Sequence, residues 1–336
     1  MSTVLSPADP NTVSRAAAAL RRGELVAIPT ETVYGLGADA TNERAVLSIF
    51  EAKQRPAFDP LIVHVASADD VARVASPAND DWRALADAFW PGPLTLVMPK
   101  QSSISDLVTS GLPTVAVRVP GLAITRDIIA AAGVPIAAPS ANVFGSVSPT
   151  RAEHVVAGLG DRVRWVVDGG ACAVGLESTI VSLVGPEPRL LRLGGLAKAD
   201  IESALGRDLA EQLTTGDGPD GTARPEAPGQ LTRHYAPNRP LHICSSDELE
   251  PAANRGLLVA LGPAPFSASR YGWVRCLSPA GDVNESARAL FSTLRDVEQS
   301  SVTDVDVLLS HAPGLGRAID DRLVRAAVSP NPPVRQ

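Results

Sequence analysis

Apolar positions along this chain fall into short runs broken by proline and glycine, and the pattern changes character past residue 206. Residues 11–22 put Val13, Ala17 and Leu20 on one helical face, and Gly23 ends the segment. Compact apolar runs at 25–28, 61–65, 94–98, 114–119, 164–167, 179–183 and 190–193 predict strands. Helical periodicity lies between some of them, at 43–52, 81–89, 123–132 and 197–205. Because the alternation is irregular, a mixed α/β sheet is expected rather than a regularly doubly wound one.

From residue 207 to about 240 the chain is dominated by turn formers, as in Thr214-Thr-Gly-Asp-Gly-Pro-Asp-Gly-Thr-Ala-Arg-Pro-Glu-Ala-Pro-Gly229, and reads as a linker. Beyond it, 257–261 and 305–309 are strand-like while 284–298 and 317–327 are helix-like, so a second small α/β unit is expected. The reading is therefore a first domain over 1–206, a linker over 207–239 and a second domain over 240–336. The last seven residues, rich in proline, are expected to fray.

Composition narrows the function. Hydrophobic residues make up 45% of the 336 but aromatics only 4%, so Ala, Val, Leu and Ile must build the core. A net charge of −7 disfavours a protein whose task is coating nucleic acid, while leaving room for a local basic pocket. Cys172, Cys244 and Cys276 lack metal-ligand spacing and read as idle thiols in a reducing compartment. Residues 1–10 have neither a basic start nor an apolar run, and no segment is apolar over a bilayer's width; a cytoplasmic protein is expected.

The chemistry concentrates in polar clusters at the ends of the predicted strands, the arrangement a single cleft requires. The densest is Val26-Ala-Ile-Pro-Thr30-Glu-Thr32-Val-Tyr34-Gly35-Leu-Gly37, where an apolar strand runs into hydroxyls and a carboxylate. There Gly35 and Gly37 are read as permitting a tight turn or close approach to a ligand. In Lys53-Gln-Arg55-Pro, a point charge and a planar fork follow a helix, a pairing suited to phosphate and carboxylate oxygens; alone it would be a solvated cap. His64 ends the next strand and by itself reads as a structural histidine. Arg118 lies inside the apolar run Val115-Ala-Val-Arg118-Val and needs an anion, either an internal carboxylate or a substrate's. Ala138-Pro-Ser140-Ala-Asn142 and Ser148-Pro-Thr150 offer small residues and hydrogen-bonding groups, or a plain turn with an N-cap at Ser148. Gly175-Leu-Glu177-Ser178-Thr179 brings further hydroxyls, and Arg192 follows on the next strand. The loose dinucleotide fingerprint Gly35-Leu-Gly37-Ala-Asp-Ala40 reads as accidental, since a Thr-Glu-Thr-Val-Tyr insertion separates it from the strand.

Together with Pro60-Leu-Ile-Val-His64 and Trp90-Pro-Gly-Pro-Leu-Thr95, these clusters resemble the threonylcarbamoyl-AMP synthase family of YrdC-like fold, over roughly the first 205 residues and in the family's order. Pro228-Gly-Gln-Leu-Thr-Arg-His234-Tyr235-Ala-Pro237 is similar to the linker of the longer members, whose second domain is a small Rossmann-like α/β unit. The resemblance implies a YrdC-like mixed twisted sheet and the ATP-dependent joining of L-threonine and bicarbonate or CO2 into threonylcarbamoyl-AMP with release of pyrophosphate. That product serves N6-threonylcarbamoyladenosine formation on tRNA through a separate downstream transferase complex, with no direct tRNA binding required and no membrane partner. By motif, the resemblance assigns Lys53, Arg55, Ser140 and Asn142 to catalysis, and Thr30, His64, Arg118 and Ser178 to L-threonine. It assigns Lys53, Thr114, Ala138, Ser140, Ser148, Arg192 and Tyr235 to ATP. The polar, aromatic motif Arg233-His-Tyr235 in an otherwise flexible linker leads to the expectation that the second domain covers the active site with this segment as the moving piece. Magnesium (Mg2+) is expected with ATP, held mostly by phosphate oxygens and water rather than by a protein cage. Two departures stand out: Asp59 where many members have Asn, and Leu193 where proline is common.

Two other functions are weighed. An RNA-binding or ribosome-assembly factor conflicts with the charge balance and lacks an aromatic-rich basic stripe. A carbamoyl transferase of the hydrogenase-maturation kind would carry an acylphosphatase segment and cysteine-rich zinc motifs, neither of which is found here.

Overall fold

The computed structural model describes residues 2–56, 59–77, 79–213, 225–230 and 235–328. Residues 214–224 and 231–234 of the predicted linker, Arg233 and His234 among them, and the proline-rich end of the chain lie outside the described residues. Two compact units are resolved, one of residues 1–144 with 148–231, the other of 145–147 with 232–336.

The first unit begins β1 (Thr3–Leu5), α1 (Thr12–Arg21), β2 (Val26–Ile28), β3 (Gly35–Asp39), α2 (Glu43–Lys53), β4 (Ile62–His64) and α3 (Asp81–Phe89). It continues with β5 (Leu94–Pro99), α4 (Asp106–Thr109), β6 (Thr114–Arg118), α5 (Ala123–Ala132), β7 (Ile136–Ala137), α6 (Ala152–Leu159) and β8 (Trp165–Val167). It closes with β9 (Thr179–Ser182), β10 (Arg189–Arg192), α7 (Lys198–Leu205) and β11 (Ala210–Glu211). The strands form one mixed sheet in the order β1-β8-β2-β3-β7-β4-β6-β5-β9-β10-β11. β4 runs parallel to β6 and β5 to β9, whereas β3 and β7 are antiparallel to each other and to their outer neighbours. The expected mixed sheet is present.

Its core follows from the aromatic-poor composition. Ala16, Ala17 and Leu20 of α1 pack with Ile128 and Ile129 of α5 over Val26 and Ile28, the small alanines letting the helices lie close. In α2 the Asn42 side chain caps the helix by accepting from the Arg44 and Ala45 amides. The helix stops at Gln54, which takes the left-handed conformation with φ +53° and so turns the chain sharply between Lys53 and Arg55.

The largest departure from expectation is β3. Gly35 and Gly37 make no turn; they lie in a central strand between β2 and β7. A Cβ at Gly37 would stand 3.0 Å from Ile136 Cγ2 and 3.2 Å from the Val26 carbonyl oxygen, and one at Gly35 would stand 3.2 Å from the Ala138 Cβ. The glycines therefore serve strand-to-strand packing, a use that resembles turn punctuation in the sequence. A strand here also disposes of the dinucleotide fingerprint, which requires a strand-to-helix turn at those glycines.

The second unit holds β12 (Leu241–Ile243), β13 (Gly256–Val259), β14 (Trp273–Cys276), α8 (Val283–Gln299), β15 (Val305–Leu308) and α9 (Leu315–Ala327). Its four strands are all parallel, ordered β12-β15-β13-β14, the small Rossmann-like architecture anticipated. Asp282 caps α8 by accepting from the Asn284 and Glu285 amides, and Leu290, Phe291 and Leu294 form its buried face.

Candidate active site

Strand register decides which of the polar clusters meet. Gly35 bridges Ser140, so the end of β7 and the start of β3 share one end of the sheet. His64 is in register with Arg118 at the other end of β4. As β4 has only three residues, its two ends are about 7 Å apart, a span one small ligand covers. The clusters thus come from both ends of short strands rather than from a single C-terminal edge.

At the first end, Lys53 is 1% exposed and its ammonium donates to the carbonyls of Ser140 and of Asn142, the latter at 2.7 Å. The third N–H of this ammonium has no acceptor among the described residues. Burial, reinforced by the charge of Arg55, drives the Lys53 pKa well below its usual value, with Asp59 opposing. Arg55 donates to the carbonyls of Asp59 (3.2 Å) and Pro60 (2.9 Å), and its Nη2 lies 2.8 Å from Asp59 Oδ2. That last contact is an ion pair without the alignment of a directed hydrogen bond. Burial raises the Asp59 pKa against the nearby charges of Arg55, Lys53 and Arg192. Ser140 is half-buried, while Asn142 is buried and donates from Nδ2 to the Val143 carbonyl.

At the other end, Arg118 uses its fork on three groups: the Gly92 carbonyl at 3.1 Å, Thr32 Oγ1 at 2.9 Å and Glu31 Oε1 at 2.6 Å. The internal carboxylate considered from the sequence is therefore Glu31. Two of the five guanidinium N–H groups remain without an acceptor among the described residues. Glu31 also accepts from the Gly121 amide at 2.8 Å. Burial opposes its ionisation, yet Arg118 prevails and holds its carboxyl below the usual range. Thr30 Oγ1 donates to the Val33 carbonyl and lies 2.8 Å from Thr32 Oγ1. Burial first, then the charge of Arg118, pushes the His64 pKa down to about 3, leaving the ring neutral at physiological pH.

A third group joins the loop residues. Ser148 is buried and donates to Glu177 Oε1 at 2.7 Å, so it is no N-cap; α6 starts four residues later. Ser178 Oγ lies 2.7 Å from Thr95 Oγ1 and accepts from Arg192 Nη2 at 3.0 Å. Arg192 is further fixed on the Ser178 and Pro228 carbonyls. Ala138 is buried and its amide donates to the Ile62 carbonyl, while Thr114 opens β6, half-buried opposite Pro99. Tyr235 belongs to the second unit, 1% exposed, its ring 5.5 Å from that of Phe291 and 5.0 Å from the Arg322 guanidinium. Sequence reasoning assigned no role to Thr95, Glu31 or Glu177; each sits in a quoted motif, but its partner is distant in the chain.

A mixed sheet that gathers buried cations, hydroxyls and a carboxylate around short strands defines the YrdC-like class. Residues 18–194 match the Sua5, YciO and YrdC family model, described as telomere recombination, and residues 196–328 match the threonylcarbamoyl-AMP synthase C-terminal domain. A threonylcarbamoyl-AMP synthase of Bacillus subtilis is 39% identical over 334 residues, covering 96% of this chain and 94% of that protein. One of Pyrococcus abyssi is 40% identical over 327 residues, covering 93% of each. The crystal structure of P. abyssi Sua5 complexed with L-threonine superposes with a TM-score of 0.86 at 37% identity, covering 97% of both chains. The chain belongs to the threonylcarbamoyl-AMP synthase family, in its two-domain form. No helix among the described residues is long and apolar enough to cross a membrane.

Proposed function

We propose that this chain makes L-threonylcarbamoyl-AMP and pyrophosphate from L-threonine, bicarbonate or CO2, and ATP, for N6-threonylcarbamoyladenosine modification of tRNA. The observation that carries the reading is the pair of buried cations at the two ends of β4: among the described residues Lys53 has one donor without an acceptor and Arg118 has two. One suits a phosphate, the other a carboxylate.

In this reading the threonine amine attacks the one-carbon unit, and an oxygen of the resulting carbamate attacks the α-phosphate as pyrophosphate leaves. Neither step needs a protein nucleophile, so the residues act by positioning and by stabilising charge. Lys53 and Arg55 face the phosphates, with Ser140 and Asn142 beside them. Arg118 takes the threonine carboxylate, and Thr30, His64 and Ser178 complete that pocket. The low pKa of His64 makes it a neutral hydrogen-bond partner rather than a proton carrier near pH 7. Thr114, Ala138, Ser148 and Arg192 belong to the nucleotide side; Tyr235 is added on the resemblance, and a covering role for its segment on the polar, aromatic motif in the linker.

Among the described residues no three His, Cys, Asp or Glu side chains are grouped to hold a metal. Asp59, a carboxylate near the phosphate cations, is engaged by Arg55. These residues fit magnesium arriving with ATP, bound through phosphate oxygens and water, where it would neutralise triphosphate charge. The setting is cytoplasmic, with the product passed to a tRNA threonylcarbamoyl transferase complex.

The test is pyrophosphate release from ATP with magnesium and bicarbonate, with and without L-threonine, in wild type and Lys53→Ala. Threonine-dependent release that is lost in the variant is expected. If no amino acid promotes release, the activity assignment fails and salt-dependent RNA binding becomes the next measurement.

A further inference from the structure

We propose that Arg295 is a positioning residue: by holding the Val147 carbonyl it fixes the loop between Asn142 and Ser148, and through that loop it sets how well ATP binds. The inference rests on the reading that Asn142 and Ser148 serve the phosphate and nucleotide side. It goes further by naming what holds the loop that joins them.

Between Asn142 and Ser148 the chain leaves the first compact unit and returns to it. Phe144 is counted with the first unit, Gly145, Ser146 and Val147 with the second, and Ser148 with the first again. A short loop outside helix and sheet must have its backbone groups satisfied from elsewhere. The Phe144 amide donates to the Lys53 carbonyl at 2.8 Å, and Gly145 turns the chain with φ +80°. Within the second unit the Gly145 carbonyl accepts from the Ala236 amide at 3.0 Å, and the Val147 carbonyl accepts from Arg295 Nη2.

Arg295 lies on α8, next in sequence to the buried Leu294. Burial draws its pKa below the usual arginine value, with the charge of Glu298 opposing. Among the described residues no carboxylate comes within ion-pair distance of it, and its Nε has no hydrogen-bond partner. Enclosing a cation without a paired counter-charge is costly. The bond to Val147 is what this side chain makes in return, and an apolar residue would pack here at lower cost.

The carbonyl it holds is coupled to Ser148. The Val147 C=O and the Ser148 N–H belong to one planar peptide unit, so a donor that fixes the oxygen also fixes the plane leading into Ser148. On its other side the Ser148 hydroxyl is tied to Glu177 Oε1 at 2.7 Å. Ser148 is thus held through its main chain by Arg295 and through its side chain by Glu177. Releasing the first hold loosens the loop while leaving Lys53 on the Asn142 carbonyl and Arg55 on that of Pro60. The consequence is weaker ATP binding with the chemistry of the bound complex kept. Arg295 acts through Val147 and Ser148.

The experiment measures KM for ATP, KM for L-threonine and kcat by pyrophosphate release, and amide hydrogen exchange over residues 143–148, all in the full chain. Arg295→Met, which keeps the stem and removes the donor, is compared with Arg295→Lys and with Arg255→Met. Arg255 pairs with Glu250 and Asp304 elsewhere in the second unit and controls for general loosening. Arg295→Met should raise KM for ATP roughly tenfold with kcat and KM for L-threonine within about twofold, the loss of one charge-assisted hydrogen bond. Exchange over 143–148 should become faster in the same variant. Arg295→Lys can still give the single bond the carbonyl takes and should stay near wild type in both readouts. Arg255→Met should lower thermal stability and move neither. Arg295→Leu carries the same expectation as the methionine variant and stands in should that one not fold. The proposal is overturned if Arg295→Met leaves KM for ATP unchanged, if Arg295→Lys behaves like Arg295→Met, or if Arg255→Met matches it. Failure of the activity reading looks different: the wild type then shows no threonine-dependent release, and exchange over 143–148 decides by itself whether Arg295 holds the loop.

Discussion

Glu31 and Arg118, 87 residues apart in the chain, meet as a nearly buried ion pair, with Oε1 2.6 Å from Nη2 and the two side chains 14% and 4% exposed. The pair costs desolvation on both sides, and Glu31 recovers part of that through the Gly121 amide. It also holds the guanidinium so that Nη1 faces Thr32. Removing only the acid leaves a buried cation without its counter-charge. Glu31→Ala is therefore expected to destabilise the protein by about 3 kcal/mol in urea unfolding. The Glu31→Ala/Arg118→Ala double variant should be clearly more stable than the sum of the single losses implies. Additive losses would mean that the pair is not the unit of stability described.

Lys53 gives a prediction in the alkaline direction. Because burial and Arg55 depress its pKa well below the usual 10.5, the free enzyme should lose this proton, and with it the cation at the Ser140–Asn142 carbonyls, at a pH below that value. The kcat/KM profile for pyrophosphate release should have an alkaline limb that Lys53→Arg, which stays charged, removes. An identical limb in the arginine variant would assign it elsewhere. Lys53→Met, keeping the stem without the charge, should lower kcat by roughly a hundredfold or more, the scale of losing a charge-stabilising donor.

The candidate site was legible in the sequence where its contacts are local and illegible where they are not. Lys53, Arg55, Ser178 and Arg192 announced themselves as polar residues at the edges of apolar runs, and Arg118 as a charge inside one. What holds them did not, because Glu31, Thr95 and Glu177 act across separations of 87, 83 and 29 residues. Likewise β5, β6 and β9 were legible as apolar runs, since they are buried on both faces. β3 was hidden by its glycines, β7 by being two residues long, and α6 by the serines and prolines preceding it. A further element, β12, has only three residues and no apolar alternation.

His64 predicts acid sensitivity. Its pKa is about 3 in the folded protein against an ordinary 6.5, so between these values the unfolded chain holds a proton that the native state does not. Stability must then fall as pH drops through that window, by up to about 1.4 kcal/mol per pH unit from this residue alone. Denaturant unfolding between pH 6.5 and 4.5 should show the slope, and His64→Asn should flatten it. A slope that persists unchanged in the variant would place the titration on other groups.

Gly194 packs against the backbone of Glu177, Ser178 and Thr179 and offers a test of how tightly Ser178 must be held. A Cβ there would stand 2.4 Å from the Glu177 carbonyl oxygen and 2.5 Å from both the Ser178 carbonyl carbon and the Thr179 amide nitrogen. All three are backbone atoms, so no side chain can swing aside; the strand entry itself has to move. Such a move displaces Ser178 from Thr95 and Arg192, and Glu177 from Ser148, at one stroke. Gly194→Ala should accordingly lose about 1–3 kcal/mol of stability, as overpacking does. It should also raise KM for L-threonine, because it disturbs both partners of Ser178. Gly195 next to it provides the comparison. Its added Cβ would meet the Val174 Cγ1 at 2.5 Å, the end of a side chain rather than backbone. Gly195→Ala should therefore perturb KM less than Gly194→Ala, and the reverse order would show that the backbone contact behind Ser178 does not control the pocket.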